Sequence, residues 1–362
     1  MKRTIAILLA LVLTLAALSG CGGTKTSSSA GNAASGSASA GSSSGEAATG
    51  LDALDPVELT FSTQASQDVE YVKAMYRVQE KISEMSGGKL TMVIYDNGSL
   101  MTQEGEIDAC ARGTLDMYFS SPFLISDQLD YLSMFTAAYI YKNADHMLAV
   151  WNGDIGQKVV EDVADHCNVR WLSFIYCGSR HLLLRDIGKE VHTPADMAGV
   201  NLRMPNSDAW LFMGRALGAN PTPMAFAEVY TGLQTGAIDG QENPLQTDIA
   251  QKWYEVSSQV VLTGHCIEPM CVAINEDLWQ SLAPEYQEIL ATALKESIDE
   301  CNATNVAAEQ ECIEFMRDQG LTVIEPDLDA FMEYAENYYL ADADMTASWD
   351  MDLYHEIKDM DF

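Results

Sequence analysis

Strand and helix patterns alternate along the body of the chain, and this order constrains the fold more than any other feature. Val57, Leu59 and Phe61 alternate with polar residues as in a β-strand, and helical spacing follows over 68–85. Further strands are predicted at Leu90–Tyr95 and Leu115–Ser120, with a helix between them at Thr102–Ala111. A β-α-β-α-β order builds a parallel sheet flanked by helices, in which ligands lie beyond the carboxyl ends of the strands.

The same order begins again in the second half of the chain. Strands are predicted at Arg170–Cys177 and Val200–Met204, and helices at Asp208–Leu217, capped by Asn206 or Ser207, and at Ala227–Thr235. The body has about 310 residues, more than one hydrophobic core comfortably serves, so the repeated plan predicts two α/β lobes. From Pro284 to Gln319 there is no glycine and no internal proline, which predicts one helix long enough to run across both lobes.

The N-terminal segment has the pattern of a secretion signal. Lys2 and Arg3 precede an uncharged run over 4–18 that is too short to span a bilayer. The run ends in Leu-Ser-Gly-Cys, which resembles the bacterial lipobox, so residues 1–20 are predicted to be a lipoprotein signal peptide and Cys21 the lipid attachment site. The alternative is an ordinary secretion signal with an incidental cysteine.

Residues 21–55 are predicted to form a flexible tether behind the lipidated cysteine. From Gly22 to Gly50 the chain is nearly all Gly, Ser, Ala and Thr, which cannot bury enough apolar surface to order itself. Such a coil reaches roughly 30 Å. Gly41–Gly45 formally matches a hydrolase nucleophile elbow, but that motif needs a strand before it and a helix after it, so we reject it.

Charge and cysteine usage exclude several classes of function. A net charge of −33 argues against nucleic-acid binding, and an anionic ligand would need a local cluster of arginines. The body contains seven cysteines without C-x-x-C or Cys/His metal spacing, so no metal, cofactor or catalytic thiol is predicted. Most of these cysteines read as small core residues, with one disulfide, Cys266 to Cys271, left open.

Six short segments carry a resemblance to a known family. They are Thr193–Gly199, Asn201–Pro205, Leu217–Met224, Glu228–Tyr230, Leu233–Gly236 and Asp239–Pro244. In this order they resemble the solute-binding proteins of tripartite ATP-independent periplasmic (TRAP) transporters, of the dicarboxylate-binding (DctP) type. The resemblance extends more weakly through Ser86–Leu90, Gly113–Asp116 and Tyr254–Val256, and it covers essentially the whole body.

The resemblance implies a two-lobed periplasmic-binding-protein-like fold, with a hinge and a long helix spanning both lobes. Lobe I is expected to comprise 56–178 plus about 270–305, and lobe II 179–269 plus about 306–362, which includes the C-terminal segment. The implied partners are a small organic acid and the TRAP membrane permease, with the lipid bilayer reached through Cys21.

Two arginines are the expected carboxylate ligands. Family members hold a carboxylate with an arginine at the position of Arg203, which lies at the carboxyl end of a predicted strand closed by Pro205. A planar guanidinium can pair both carboxylate oxygens. A second family arginine corresponds to Arg180 in Gly178-Ser179-Arg180, although Arg185 competes for this role.

Neutral side chains complete the expected binding site. Asn243 matches the family's ligand-binding amide, and Pro244 restricts it to extended conformations. Gln64 and Ser121 follow strands of the first lobe and are positioned to meet ligand hydroxyls. Members selecting large acidic sugars often carry a charge where this chain has Ser121, which disfavours a ligand like sialic acid. Phe226 is expected either to pack on the ligand or to belong to the core. Glu242 is expected either to accept a hydrogen bond from a ligand hydroxyl or to cap structure, and the second role is favoured.

Three functions compete at this point. The first is extracytoplasmic capture of a C4-dicarboxylate, sugar acid or related hydroxy acid for a TRAP permease, without a cofactor. The second is a sensor subunit that reports the same ligand to a membrane receptor. A lipid-anchored hydrolase is disfavoured, because none of the six histidines pairs with a serine or cysteine at motif spacing. We therefore expect a binding protein and not an enzyme.

Overall fold

The structure, a computed structural model, describes residues 50–362. The predicted signal peptide, Cys21 and nearly all of the tether lie outside the described residues. The strands are β1 (Val57–Ser62), β2 (Leu90–Tyr95), β3 (Met117–Ser120), β4 (Val169–Leu184), β5 (Asn201–Met204), β6 (Asn220–Pro223), β7 (Gly240–Pro244), β8 (Gln259–Asn275) and β9 (Thr322–Ile324). The α-helices are α1 (Glu70–Met85), α2 (Gln103–Ala111), α3 (Ala144–Asn152), α4 (Asp154–Cys167), α5 (Asp208–Ala216), α6 (Val229–Thr235), α7 (Leu245–Ala250), α8 (Glu276–Ser281), α9 (Pro284–Asp318), α10 (Leu328–Ala341) and α11 (Met351–Asp359).

Two β-α-β-α-β units with the same topology form the two lobes. In the first unit β1 lies between β2 and β3, and all three strands are parallel. In the second unit β5 lies between β6 and β7, again with parallel pairing. The predicted α/β fold, in which the second lobe repeats the plan of the first, is confirmed.

The two units are joined by a pair of long antiparallel strands. β4 pairs with β8 along most of its length, β3 pairs antiparallel with β8, and β7 pairs antiparallel with β4. The prediction of a short strand at Arg170–Cys177 is wrong at its end, because β4 continues to Leu184. A register shift between Tyr176 and Ser179 lets the strand change direction without ending.

Gly178, within this register shift, explains why the strand was predicted to end at Cys177. Its φ is +111°, a conformation that glycine tolerates and other residues rarely adopt. A Cβ atom at this position would lie 2.7 Å from Gln246 Oε1. The glycine therefore bends the strand and allows close approach of the neighbouring chain.

The long helix predicted from Pro284 is present as α9 and contacts both lobes. Its first half, through residues such as Leu290 and Ile298, packs into the core beneath β1 and α1, and Met316 packs into the core of the second unit. Asn305 Nδ2 also donates a hydrogen bond to the Tyr176 carbonyl at 2.8 Å, next to the register shift of β4. The predicted residue limits of the two lobes remain a proposal.

Buried thiols and apolar side chains fill the cores. The seven cysteines within residues 50–362 are free and buried, so a disulfide between Cys266 and Cys271 is not formed. Both lie on β8, where five residues of extended chain separate them by roughly 16 Å, too far for a bridge. No helix among the described residues has both the length and the apolar character needed to cross a membrane.

Candidate functional site

A cavity lies where the carboxyl ends of strands from the two units meet. The sequence-predicted residues all line it: Arg203, Arg180, Asn243, Gln64, Ser121 and Phe226. Strand geometry brings them together, since β1 and β3 lead into the first-lobe residues and β5 and β7 end at the second-lobe residues. Arg185, the competing arginine, does not line this cavity and instead lies half-exposed with Nη1 4.0 Å from Asp239.

Arg203 is buried in the cavity wall without a carboxylate partner among the described residues. Only 2% of the residue is exposed, and its Nε donates a 2.9 Å hydrogen bond to the Met224 carbonyl. Burial lowers the pKa of the guanidinium to about 10, which still leaves it charged at neutral pH. The chain thus holds a desolvated positive charge facing a cavity, which favours binding of an anion.

Arg180 is equally buried, but its donors are already used. Its Nε and Nη2 form a bidentate pair with the Glu242 carboxylate at 2.6 and 2.7 Å, and Nη2 also donates to the Glu242 carbonyl at 2.9 Å. Its Nη1 donates to Glu268 Oε2 at 2.6 Å. The guanidinium carbon lies 4.6 Å from the ring centroid of Trp210. Four of the five N–H groups of Arg180 are therefore engaged by protein.

The two carboxylates that hold Arg180 differ in their surroundings. Burial alone would raise the pKa of Glu242, but Arg180 and a 3.1 Å contact from His265 Nε2 lower it to about 2, so Glu242 is ionised. Burial raises the pKa of Glu268, while Arg180 and the nearby Ser121 hydroxyl oppose this rise. Its Oε1 is buried and accepts no well-directed hydrogen bond from the described residues. The side chain of Glu242, for which a structural role was favoured, is thus engaged by Arg180 and His265.

The first-lobe wall presents neutral polar groups. Gln64 Nε2 donates to the Met101 carbonyl and, at 3.3 Å, to Glu106 Oε1. Ser121 begins a short 3₁₀ turn, and its Oγ accepts a 3.3 Å hydrogen bond from Phe123 N. Burial raises the pKa of Glu106 to about 8, and hydrogen bonds from Ser62 and Gln64 oppose this rise. The side chain behind Gln64 is thus an acid that resists ionisation.

Asn243 and Phe226 complete the second-lobe wall. Asn243 Nδ2 donates to Gln241 Oε1 at 2.7 Å, and Gln241 Nε2 donates onward to Asp248 Oδ1 at 2.8 Å. This chain of hydrogen bonds fixes the orientation of the Asn243 amide. Phe226 packs on Trp253 with ring centroids 5.1 Å apart, so it both lines the cavity and belongs to the core.

Several side chains in or behind the cavity wall were not predicted from the sequence, and Glu268, Trp210 and Glu106 show why. Glu268 carries a weak signal, since it is the single acidic residue in the apolar β8 segment 259–275. Trp210 lies on α5 among other apolar residues, and Glu106 lies among several acids of α2, so neither pattern marks a site. Within residues 50–362, no group of three or more His, Cys, Asp or Glu side chains is arranged to hold a metal.

The chain is similar to known bacterial solute-binding proteins. Residues 61–344 match the family model described as bacterial extracellular solute-binding protein, family 7 (DctP). The sialic acid-binding periplasmic protein of Vibrio cholerae is 31% identical over 282 residues, which cover 78% of this chain and 87% of the relative.

Solved structures show the same fold with ligands bound. A TRAP periplasmic solute-binding protein of Roseobacter denitrificans with 3-deoxy-D-manno-oct-2-ulosonic acid is 39% identical, with a TM-score of 0.79 over 84% of this chain and 99% of that one. A second protein of that organism, with bound L-galactonate, is 27% identical, with a TM-score of 0.77 over 84% of this chain and 99% of that one.

Proposed function

The chain belongs to the DctP family of bacterial extracellular solute-binding proteins, family 7, and on this premise we propose that it captures a small organic acid through Arg203 and delivers it to a TRAP permease. The related proteins and structures are solute-binding proteins, so the chain is a binding protein and not an enzyme. Closure of the two lobes over the acid would be driven by tighter binding to the closed state.

The observation that carries this proposal is that Arg203 is charged and buried but has no carboxylate partner among the described residues. The guanidinium is 2% exposed, keeps its charge at neutral pH and contacts only a carbonyl through Nε. A ligand carboxylate would supply the missing counter-charge and could accept two parallel hydrogen bonds from the fork of the guanidinium. An acidic protein that attracts few anions elsewhere could thus select one at this point.

The ligands of the related proteins support an acid of this kind. Sialic acid, 3-deoxy-D-manno-oct-2-ulosonic acid and L-galactonate are named for them, and each combines a carboxylate with several hydroxyl groups. The neutral groups of Gln64, Ser121 and Asn243 would meet such hydroxyls. Ser121 still leads us to expect a ligand smaller than sialic acid.

The direct test is calorimetric titration of the protein with galactonate, glucuronate and C4-dicarboxylates, followed by substitution of Arg203. Arg203→Ala should weaken binding of the preferred acid by roughly 2–5 kcal/mol, because the paired charge is lost. Arg203→Lys should recover little, since an ammonium group cannot form the bidentate pair. Arg185→Ala is the matched control, and it should bind as the wild type does.

An Arg203→Ala protein that keeps its fold and its wild-type affinity would remove the proposed role of this residue. Failure of the wild-type protein to bind any of these acids would remove the proposed ligand class.

We further propose that Cys21 carries a lipid that holds the protein at the outer face of the cell membrane. Cys21 lies outside the described residues, and the support is the lipobox-like sequence together with the predicted 21–55 tether. In cells grown with labelled fatty acid, the wild-type protein should carry label and sediment with membranes. Cys21→Ser should lose both properties, and membrane association without label would contradict the anchor.

A further inference from the structure

We propose that Glu268 makes this site selective for hydroxylated monocarboxylates over dicarboxylates, by requiring a hydrogen-bond donor where a second carboxylate would otherwise lie. This inference rests on the proposed function, and it narrows the ligand class to acids that carry one carboxylate and several hydroxyls.

Only one positively charged side chain among the described lining residues lacks a carboxylate partner. Among the described residues that line it, the charged side chains are Arg180, Arg203 and Glu268. Arg180 is paired with Glu268 and with Glu242, which lies directly behind it with its side chain fully buried, so these three side chains together carry a net charge of about −1 when both acids are ionised. One ligand carboxylate on Arg203 therefore satisfies the last available cation. A second would be buried without a counter-charge, which is strongly unfavourable.

Glu268 adds a directional requirement to this charge balance. Its Oε2 accepts from Arg180 at 2.6 Å, which holds the carboxylate in one orientation. Its Oε1 is buried and accepts no well-directed hydrogen bond from the described residues, although the Ser121 hydroxyl lies near enough to lower the pKa of this acid, and the residue is 3% exposed. A buried acceptor of this kind gains free energy when a hydroxyl or ammonium group of the ligand donates to it. A carboxylate would instead face it with a like charge.

The remaining polar groups of the wall suit hydroxyls and not a second anion. They are the side chains of Thr63, Gln64, Tyr71, Gln103, Ser121, Trp210, Asn243 and Thr247. All are neutral, and each can donate or accept hydrogen bonds as a ligand hydroxyl requires. None supplies the second cation that a dicarboxylate needs.

Matched pairs of acids test this inference on the folded, tether-bearing protein. Galactonate and galactarate, and likewise erythronate and tartrate, differ mainly by a terminal CH₂OH in the first and a carboxylate in the second. In each pair of acids that the wild-type protein binds, calorimetry should show at least about 10-fold tighter binding of the monocarboxylate than of the dicarboxylate. Glu268→Gln should narrow that ratio, chiefly by improving binding of the dicarboxylate, because it removes one negative charge while Glu242 still holds Arg180.

Glu190→Gln, a substitution of an exposed glutamate on the same lobe, is the matched control and should leave the ratio unchanged. Unfolding midpoints of the variants verify that Glu268→Gln is folded. Should it fail to fold, the wild-type ratios alone still decide. Wild-type protein that binds dicarboxylates as tightly as their monocarboxylate partners overturns this inference but leaves acid capture by Arg203 intact. Protein that binds none of these acids overturns the proposed function, and the inference falls with it.

Discussion

Arg203 and Arg180 line the same cavity and are both almost completely buried, yet the protein treats their charges in opposite ways. Arg180 is held by two carboxylates, Glu242 and Glu268, at 2.6 Å each, whereas Arg203 donates to a single carbonyl. Accordingly, the two acids raise the pKa of Arg180 against the effect of burial, while burial lowers the pKa of Arg203. We therefore propose a structural role for Arg180 and a ligand-binding role for Arg203.

This difference suggests a general way to distinguish ligand-binding charges from structural ones. A buried charge with a full set of partners stabilises the wall that presents it. A buried charge without them is costly in the free protein and persists when a ligand restores the missing interaction. Separate measurements of stability and of ligand binding can therefore distinguish the roles of the two arginines.

The largest effect is expected on stability when Arg180 is removed. Arg180→Met keeps the size of the side chain but leaves two buried carboxylates unpaired, and it should lower the free energy of unfolding by roughly 3–5 kcal/mol at pH 7. Arg317→Met on α9 is the control, since its ion pair with Glu314 is exposed and the loss should be about 1 kcal/mol or less. Urea denaturation measures both, and equal losses would contradict the structural role of Arg180.

The opposite pattern is expected for Arg203. Arg203→Met should change the unfolding free energy of the ligand-free protein by less than about 1 kcal/mol, because no ion pair is broken. The same variant should lose the thermal stabilisation that saturating galactonate gives the wild type, which is a few kcal/mol at 100 times the dissociation constant. A large loss of stability without ligand would show that Arg203 also has a structural role.

A smaller, pH-dependent effect is expected behind the first-lobe wall. The pKa of Glu106 rises from 4.5 to about 8 on burial, so the native state binds more protons than the unfolded state between these values, and its contribution to stability falls as the pH rises through this range. Glu106→Gln should remove this pH dependence, so the free energy of unfolding of the variant relative to that of the wild type should increase by roughly 2–4 kcal/mol between pH 5 and 8.5. The exposed neighbour variant Asp108→Asn should show no such trend.

The smallest effect is expected for the neutral groups of the first lobe. Gln64→Ala removes one neutral hydrogen-bonding group and should weaken galactonate binding by about 1 kcal/mol, or roughly fivefold, in calorimetry. A loss as large as that of Arg203→Ala would mean that the first lobe, and not the arginine, provides most of the binding energy.

Much of the fold could be predicted from local sequence because its elements carry regular patterns. The β1, α1 and β2 segments, the capping residue Ser207 of α5 and the unbroken α9 follow from periodicity, capping and the absence of glycine and proline. The full lengths of β4 and β8 could not be predicted. A bend at Gly178 and the polar residues near the cavity interrupt the strand pattern, and only pairing between distant segments reveals that each strand continues.

The residues of the candidate site were likewise only partly predictable from the sequence. Positions at the ends of predicted strands, together with the family resemblance, identified Arg203, Asn243, Gln64 and Ser121, and all of them line one cavity. Their contribution to ligand binding remains a prediction. Glu268 was not identified, because a single acid in an apolar strand has no spacing that points to a partner 88 residues away along the chain.

The sequence by itself determined the two-lobed α/β plan, the family and the set of residues at the carboxyl ends of the strands, because these depend on local periodicity and on short motifs. Tertiary structure alone decided which arginine is neutralised and which is free. That choice depends on distances of a few ångströms between side chains on β4, β7 and β8, and on burial that makes each unpaired charge costly.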